Sequence, residues 1–316
     1  MLVLCRLLVA ADGALTVTVV VMEEWHELLA STMLPDRVRL ATIPNVIPSE
    51  RGHGADHAGF VEAVRDKMGE PIERLLDRLE WRPEAVLADT FLTWAVPAGA
   101  RRGIPVCSMW TQPATFFLAL YHLDLSLEEY APVPGLSSVR LSDLNTFRLW
   151  ERLMEIGAEV FANAAGLRER CSDRGLAVPW CEQQRVLCHP SVGGFLSHCG
   201  WNSVLEAVSA AVTLLVFPVA WDQLVIAGMV ADEWKVGVDL RGQRGEDGTV
   251  SRAAISAAVR KLMDFDSGAD QEMRRRAAVL QEDSRSAVQE GGSSHRSLSG
   301  FLQDLVEGKL DVTETS

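Results

Sequence analysis

The chain has 316 residues, of which 48% are hydrophobic and 23% charged, and it carries a formal net charge of −13 at pH 7. This is the composition of a globular protein that is long enough for two domains with a core in each. So negative a chain offers no basic surface to nucleic-acid phosphates or anionic lipids, which disfavours both classes of partner.

The sequence does not favour a membrane or secreted protein. The longest apolar runs, such as 15–22 and 212–218, are far shorter than the roughly 20 residues that a spanning helix needs. The apolar N-terminus has Arg6 in its middle and no basic segment before it, unlike a signal peptide. Six cysteines spread along a large chain indicate reduced thiols. We therefore expect a cytoplasmic protein without stable membrane insertion.

The first half of the chain alternates predicted strands and helices. Residues 15–22 (LTVTVVVM) are rich in β-branched residues and predict a buried parallel strand. Apolar residues at helical spacing predict a helix over 60–79. The later elements of this half are a strand at 85–88, a helix at 94–102 and a strand at 104–110. Such alternation is typical of a parallel sheet that helices cover on both faces.

The second half repeats this α/β pattern after an interruption. Residues 126–145 are rich in Pro, Ser, Asp and Leu and predict an exposed loop, followed by a helix over 146–165. We place the domain boundary there, with an N-terminal α/β domain over 1–165 and a C-terminal α/β domain over 166–316. The later predicted elements are strands at 192–198 and 212–217 and helices at 202–210, 223–234, 251–264, 270–290 and 294–306.

Polar residues follow two consecutive predicted strands of the C-terminal domain. His198 ends one strand, and Asp222 and Gln223 follow the next. Parallel α/β sheets bind ligands beyond the carboxyl ends of their strands, so both groups should lie on the same rim. A helix that begins near Asn202 would direct unpaired N–H groups and partial positive charge at that rim. A diphosphate would fit there without a metal.

Other side chains around this helix start suit the same ligand. Gly200 would let the backbone approach a bound group, and Asn202 and Ser203 would add donors. Glu206 could accept two hydrogen bonds from a vicinal diol such as ribose. Taken alone, Asn202 and Ser203 are also common helix N-caps, and His198 could be a core histidine.

Zinc is the main alternative for the cysteines and histidines of this region. Their intervals match no usual zinc-finger or zinc-ribbon spacing, so we expect no metal. The residues concerned are Cys181, Cys188, His189, His198 and Cys199.

Residues 180–223 read WCEQQRVLCHPSVGGFLSHCGWNSVLEAVSAAVTLLVFPVAWDQ. This stretch resembles the donor-binding signature of plant UDP-dependent glycosyltransferases of family 1, and its spacing from the first Trp through HCGWNS to the closing DQ is intact. The resemblance extends to LADTFLTWA, SMWTQPATFF and EGGSSHRSL, and is strongest to the family 87 subgroup. It implies an α/β, GT-B-like fold of two facing Rossmann-like domains with parallel sheets, both incomplete.

The resemblance also implies a role for each matching residue. Trp180 would stack on uracil while the backbone of Cys181 pairs with its edge, and Gln183 and Glu206 would hold the ribose. The remaining implied contacts are His198, Asn202 and Ser203 with the diphosphate; Thr111, Trp201, Asp222 and Gln223 with the sugar; and Asp89 as the catalytic aspartate.

The family transfers a sugar from a UDP-sugar to an acceptor hydroxyl with inversion. A histidine removes the acceptor proton, and an aspartate orients that histidine and balances its charge. The resemblance therefore implies a UDP-sugar donor, with glucose favoured by Gln223, and a small apolar or phenolic acceptor. It implies a monomer that needs no cofactor beyond the UDP-sugar co-substrate.

Parts of the family pattern are not matched. The chain opens with MLVLCRLL, which resembles the family's first helix, so we expect the first strand and its Gly-His loop to be absent. His53, in RGHG, imitates that loop but follows a later strand, and His26 is predicted to be a surface helix residue. A second gap near Ala165 would remove the opening strands of the second domain. These gaps leave a second hypothesis open, a non-catalytic truncated relic that at most binds UDP-sugar.

One departure lies inside the signature. The family has Gly-Val-Pro where this chain has Ala211, Val212 and Thr213. Glycine enters positive φ cheaply and proline fixes its own φ, so we expect backbone strain at this turn and no loss of ligand contacts.

Overall fold

The structure is a computed structural model of the chain. It describes residues 2–49, 57–125, 132–133, 136–140, 175–176, 178, 181–219, 221–245 and 249–309. The chain divides into two compact units, unit 1 (Met1–Thr111 and Glu290–Ser316) and unit 2 (Gln112–Gln289). The domain boundary predicted at residue 165, like the helix predicted over 146–165, lies outside the described residues and stays a prediction.

The N-terminal part of unit 1 alternates helices with parallel strands. Its elements are α1 (Leu2–Ala11), β1 (Val17–Met22), α2 (Glu23–Leu29), β2 (Val38–Ile43), α3 (His57–Lys67), α4 (Gly69–Arg78), β3 (Val86–Asp89), α5 (Ala95–Ala100) and β4 (Val106–Met109). β1 pairs with β2, and β3 pairs with β4, both in parallel. The strands predicted at 15–22, 85–88 and 104–110 are confirmed, whereas α2 and β2 were not predicted.

The helix predicted over 60–79 is two helices, so that prediction is wrong at its centre. α3 ends at Lys67 and α4 begins at Gly69. Pro71 explains the break, because a proline has no N–H to donate to the carbonyl four residues earlier, that of Lys67, and its ring would clash with that carbonyl in a continuous helix.

Unit 2 is built around a three-stranded parallel sheet. Its elements are α6 (Ala114–Leu125), β5 (Pro132–Val133), β6 (Leu136–Arg140), α7 (Gln183–Leu187), β7 (Phe195–Ser197), α8 (Trp201–Ser209), β8 (Leu214–Val216), α9 (Gln223–Gly228), a π-helix (Met229–Glu233), β9 (Gly237–Asp239), a 3-10 turn (Arg241–Gln243), α10 (Arg252–Leu262) and α11 (Gly268–Val288). The strand order is β7-β8-β9, with Phe195 beside Leu214 and Leu214 beside Gly237. A last helix, α12 (Ser293–Val306), belongs to unit 1 and packs against α1.

Two sequence predictions for unit 2 need correction. The exposed loop predicted over 126–145 contains a short antiparallel pair, β5 with β6. The dipeptide between them in the sequence, Pro134-Gly135, is one that favours turns. The helix predicted over 223–234 changes from α-helix to π-helix at Met229.

Helices cover both faces of the unit 2 sheet. On one face, Leu214 and Val216 pack with residues of α8, α9 and α11, such as Val204, Ile226 and Ala277. On the other face, Leu215 packs with Leu240 and with Ala258 and Leu262 of α10. The three residues of β8 are each no more than 1% exposed. This double cover explains why β8 is an unbroken apolar run, and it fixes the ends of the strands in place.

The strain predicted at the turn before β8 is confirmed. Ala211 has φ 56°, a left-handed conformation that costs an alanine about 1 kcal/mol. The Thr213 hydroxyl is buried and has no hydrogen-bond partner within the described part of the chain. Both defects sit at the two positions where the family's glycine and proline are replaced.

No helix in the described ranges is both long enough and apolar enough to span a membrane. The five described cysteines are free thiols.

Candidate functional site

The turn between β7 and α8 leaves the amino end of a helix open. Gly200 is the N-cap residue of α8, with φ −59° and ψ 134°, and no side chain caps the helix. The N–H groups of Trp201, Asn202 and Ser203 have no hydrogen-bond partner among the residues that the structure describes. Three backbone donors and the positive end of the helix dipole therefore face the rim together.

The side chain of His198 lies against this helix start. A Cβ atom on Gly200 would lie only 2.6 Å from His198 Nε2, so any larger residue would displace the ring. His198 itself is exposed on the rim, but desolvation by the surrounding protein lowers the pKa of its imidazole. This shift favours the neutral ring, which offers one N–H donor without a full charge.

Cys199, which follows His198 in this turn, is buried and has a strained backbone. Cys199 has φ 70°, and its N–H donates to Ser197 Oγ at 3.1 Å. The side chain of Cys199 is fully buried, and burial, with the nearby charge of Asp239, raises the pKa of its thiol to about 12. Cys199 is therefore a packing residue that fixes the turn, and it does not act as a nucleophile.

A second cluster of polar side chains lies beside α8. Gln183 Nε2 donates to Glu206 Oε2 at 2.8 Å and to Ser203 Oγ at 3.2 Å. Asn202 and Ser203 lie in the first turn of α8, so the alternative that they are N-caps is wrong. The residues predicted to hold ribose, Gln183 and Glu206, are in direct contact, with the carboxylate of Glu206 able to accept further hydrogen bonds.

Asp222 and Gln223 lie at the start of α9, after the central strand β8. Asp222 is 9% exposed, and burial raises the pKa of its carboxyl to about 6, although the backbone N–H groups of Asp222 and Gln223 counteract the shift. Gln223 Oε1 accepts a hydrogen bond from the N–H of Val219 at 2.9 Å. Asp222 and Gln223 therefore follow β8 at the same edge of the sheet at which His198 follows β7.

The structure gives Trp201 a role other than the predicted one, and it does not describe Trp180. The indole of Trp201 lies 6.3 Å from that of Trp234 and packs against the core, so Trp201 presents its backbone N–H to the rim. Trp180 lies outside the described residues, and its stacking on uracil stays a prediction. Cys181, next to it, is exposed.

Unit 1 brings together the two other predicted residues. Asp89 ends β3, and its Oδ1 accepts from the N–H of Phe91 at 3.0 Å. Asp89 Oδ2 accepts from Thr111 Oγ1 at 3.3 Å. The aspartate is therefore oriented from both oxygens. His26 is exposed on α2, which confirms it as a surface residue, and His53 lies outside the described residues.

Sequence reasoning missed two charged residues at the carboxyl end of β9. Asp239 and Arg241 form an ion pair, Nε to Oδ2, at 2.6 Å, close enough to the rim to influence Cys199. The three-residue strand Gly237–Asp239 has too little pattern to be predicted, and Asp239 and Arg241 are separated by Leu240, so the sequence carried no local signal of this pair. Within the described ranges, no group of three or more His, Cys, Asp or Glu side chains could hold a metal ion.

Comparison with known proteins agrees with this geometry. The profile of the family described as UDP-glucoronosyl and UDP-glucosyl transferase matches residues 142–275. UDP-glycosyltransferase 87A1 of Arabidopsis thaliana is 31% identical over an alignment of 427 residues that covers 97% of each chain. The chain belongs to the UDP-glycosyltransferase family. UDP-glycosyltransferase 87A2 of the same plant is 30% identical, over 96% of this chain and 93% of its own.

Solved structures show the fold of this glycosyltransferase. Os79 from O. sativa in complex with UDP has a TM-score of 0.76 at 21% identity and covers 95% of both chains. Medicago truncatula UGT71G1 complexed with UDP-glucose has a TM-score of 0.72 at 18% identity, over 96% of this chain and 94% of its own. The predicted α/β fold of the GT-B type is confirmed. Similarity over nearly the whole length of its relatives also favours the glycosyltransferase hypothesis over the non-catalytic relic.

The alignment with 87A1 extends over 427 residues, more than the 316 of this chain. The relative therefore has residues within the aligned span that this chain lacks.

Proposed function

We propose that the chain transfers glucose from UDP-glucose to a hydroxyl group of a small apolar or phenolic acceptor, with inversion at the anomeric carbon. The observation that carries this proposal is the open amino end of α8, across which His198 lies. Sugar transfer leaves negative charge on the diphosphate of UDP. Preformed N–H donors stabilise such charge without reorganising during the reaction, which is how a protein lowers the barrier to departure of a leaving group.

The donor would lie along the rim of unit 2. Its diphosphate would accept hydrogen bonds from the N–H groups of Trp201, Asn202 and Ser203, and from neutral His198. Its ribose diol would reach Glu206, which Gln183 holds at 2.8 Å. The Asp222 carboxylate and the Gln223 amide would then contact the sugar hydroxyls. The related structures of Os79 in complex with UDP and of UGT71G1 complexed with UDP-glucose support this choice of donor.

The acceptor step would involve Asp89. The acceptor oxygen would attack the anomeric carbon from the face opposite UDP, the bond from that carbon to the UDP oxygen would break, and the acceptor proton would pass to the Asp89 carboxylate. Thr111 and the Phe91 N–H, which donate to the two oxygens of Asp89, would orient that carboxylate. No metal is needed in this scheme, because α8 and His198 supply the diphosphate contacts. We further propose a cytoplasmic monomer.

Turnover and binding can be measured on the same sample. The full chain would be incubated with UDP-glucose and a panel of phenolic acceptors, with and without EDTA, while UDP release and the anomeric configuration of the product are followed. We expect UDP binding and a β-glucoside, both insensitive to EDTA. The matched variants are Asp89→Asn, which should lower turnover about 100-fold or more, and Asp283→Asn on the exposed side of α11, which should not change it. A retained anomeric configuration, or the absence of UDP binding, would contradict the proposal.

A further inference from the structure

The segment between β8 and α9 is held in a strained conformation. We call Pro218, Val219, Trp221 and Asp222 the donor loop. Trp221 has φ 60°, which costs a residue other than glycine on the order of 1 kcal/mol. Such a conformation persists only where surrounding contacts fix it. Since Asp222 is the next residue, whatever fixes the loop also sets where that carboxylate lies.

One contact to this region comes from Arg241, just after β9. The Asp239 carboxylate binds Arg241 through two atoms: Oδ2 pairs with Nε at 2.6 Å, and Oδ1 accepts from the Arg241 backbone N–H at 2.7 Å. The guanidinium, fixed in this way, donates from Nη1 to the carbonyl of Leu224 at 3.4 Å. Leu224 is in the first turn of α9, directly after Asp222 and Gln223.

The other end of the donor loop is contacted by a second arginine, Arg244. Its Nη2 donates to the carbonyl of Pro218 at 2.9 Å. Its guanidinium carbon also lies 4.7 Å from the centroid of the Phe217 ring, within range of a cation–π interaction. Arg244 therefore fixes the position at which the chain leaves β8.

We propose that Arg241 and Arg244 are positioning residues that hold the donor loop from its two ends, and so determine how well the sugar of the donor is bound. Among the described residues, the side-chain hydrogen bonds and ion pair of the two arginines involve Pro218, Leu224 and Asp239 and none is made to α8, whose amino end is the predicted diphosphate site. The two arginines should therefore influence recognition of the sugar and leave recognition of UDP unchanged. This inference rests on the proposed function, because the donor loop has a sugar to bind only if the rim binds a nucleotide sugar.

Both arginines use the fork of the guanidinium group. Arg241 engages a carboxylate and a backbone carbonyl at once, and Arg244 engages a carbonyl while it lies over a ring. A lysine has a single ammonium centre and cannot span two partners in this way. The conservative substitution should therefore fail at both positions, whereas a residue that only supplies positive charge would tolerate it.

The test compares two dissociation constants, for UDP and for UDP-glucose, measured by calorimetry on the full chain. We expect Arg241→Ala, Arg241→Lys and Arg244→Ala to raise the ratio of the UDP-glucose Kd to the UDP Kd about tenfold. The Kd for UDP itself should change less than twofold. Arg260→Ala, which removes an exposed arginine of α10, is the control and should leave the ratio unchanged.

A milder variant covers the case in which an arginine substitution prevents folding. Asp239→Asn keeps the shape of the side chain that orients Arg241 but removes its charge, and it should raise the ratio about threefold. An unchanged ratio in variants that still bind UDP would overturn this inference alone, as would an equal loss of affinity for both ligands. A wild-type chain that binds neither ligand would overturn the proposed function and this inference together.

Discussion

The parallel strands of the two units differ in how completely they are buried. In unit 2, β8 lies between β7 and β9, and none of its three residues is more than 1% exposed. In unit 1, the described parallel strands form two separate pairs, and Val20 of β1 and Leu87 of β3 are 39% and 36% exposed. Parallel strands are normally buried on both faces; the central strand β8 meets this requirement, whereas its neighbour β7, with Leu196 59% exposed, and the described strands of unit 1 do not.

The two units therefore differ in how firmly they hold the residues predicted to bind the ligand. His198 directly follows β7, Asp222 follows the buried strand β8, and Asp239 is the last residue of β9, so all three lie at the ends of strands of one hydrogen-bonded sheet. Asp89 is the last residue of β3, a strand with one described neighbour. We therefore expect the predicted donor-binding residues of unit 2 to be held more rigidly than Asp89 of unit 1.

The comparison is tested most strongly by removing the same side chain from each sheet. Leu214→Ala in β8 should lower the free energy of unfolding by about 3 kcal/mol, because it empties a fully buried position. Leu87→Ala in β3 should cost about 1 kcal/mol or less, because Leu87 is already part exposed. Urea denaturation, followed for the transition of each unit, measures both values. Equal losses would show that the two sheets are equally well packed.

The next largest effect is the pH dependence that Asp222 confers on unit 2. Its folded-state pKa, about 6, is above the ordinary 3.8, so the folded state binds the proton more tightly than the unfolded state. Its contribution to stability is present below about pH 4 and is lost as the pH rises through about 6, a change of about 3 kcal/mol.

Asp222→Asn should therefore stabilise the protein at pH 8 by about 2 kcal/mol, since the lost hydrogen bonds to backbone N–H groups offset part of the gain. It should change stability little at pH 4, while sugar binding weakens. Thermal unfolding at the two pH values, with Asp283→Asn as an exposed control, is the measurement. If Asp222→Asn were destabilised equally at both pH values, burial of the charged Asp222 carboxylate would not be costing the folded protein free energy.

A smaller effect is expected for His198 because the neutral ring offers a single donor. His198→Ala should weaken UDP binding about tenfold, which corresponds to about 1.4 kcal/mol. His198→Gln, which keeps an N–H donor, should lose about threefold. Gly200→Ala should resemble the alanine variant, because its Cβ would displace the imidazole. His189→Ala, at another exposed histidine of unit 2, should bind as wild type does. Full recovery by a lysine at position 198 would instead indicate a cationic role.

The smallest expected effect concerns the strained turn that precedes β8. Ala211→Gly should stabilise the protein by about 1 kcal/mol, because glycine adopts φ 56° without a penalty. Ala210→Gly is a matched control with φ −94°, and it should be neutral or destabilising. Urea denaturation distinguishes the two. If both substitutions changed stability by the same amount, Ala211 would not be under strain.

Local patterns explain which parts of the molecule the sequence could predict. Residues 195–203 combine an apolar run, a glycine and small polar residues, so the strand, the turn and the helix start could each be predicted from neighbouring residues. The contact between Gln183 and Glu206 was expected only through the family resemblance, because two residues 23 positions apart carry no local signal of contact.

Several features that were not predicted from the sequence depend on strand pairing or on contacts between residues distant along the chain. β9 is three residues long, too short to show a period, and the contacts of Arg241 depend on its position beside β8. The break between α3 and α4 was predictable, since Pro71 stands in the printed sequence, but the apolar spacing across it favoured one helix. The strain at Ala211 was predicted because a single residue type decides it.

The most direct test of the account is a calorimetric comparison of UDP with UMP on the full wild-type chain. The central claim is that the amino end of α8 and the His198 ring bind the second phosphate. The account predicts that UDP binds at least about tenfold more tightly than UMP, and that His198→Ala removes most of this difference. Equal affinities for UDP and UMP in the wild-type protein would contradict it.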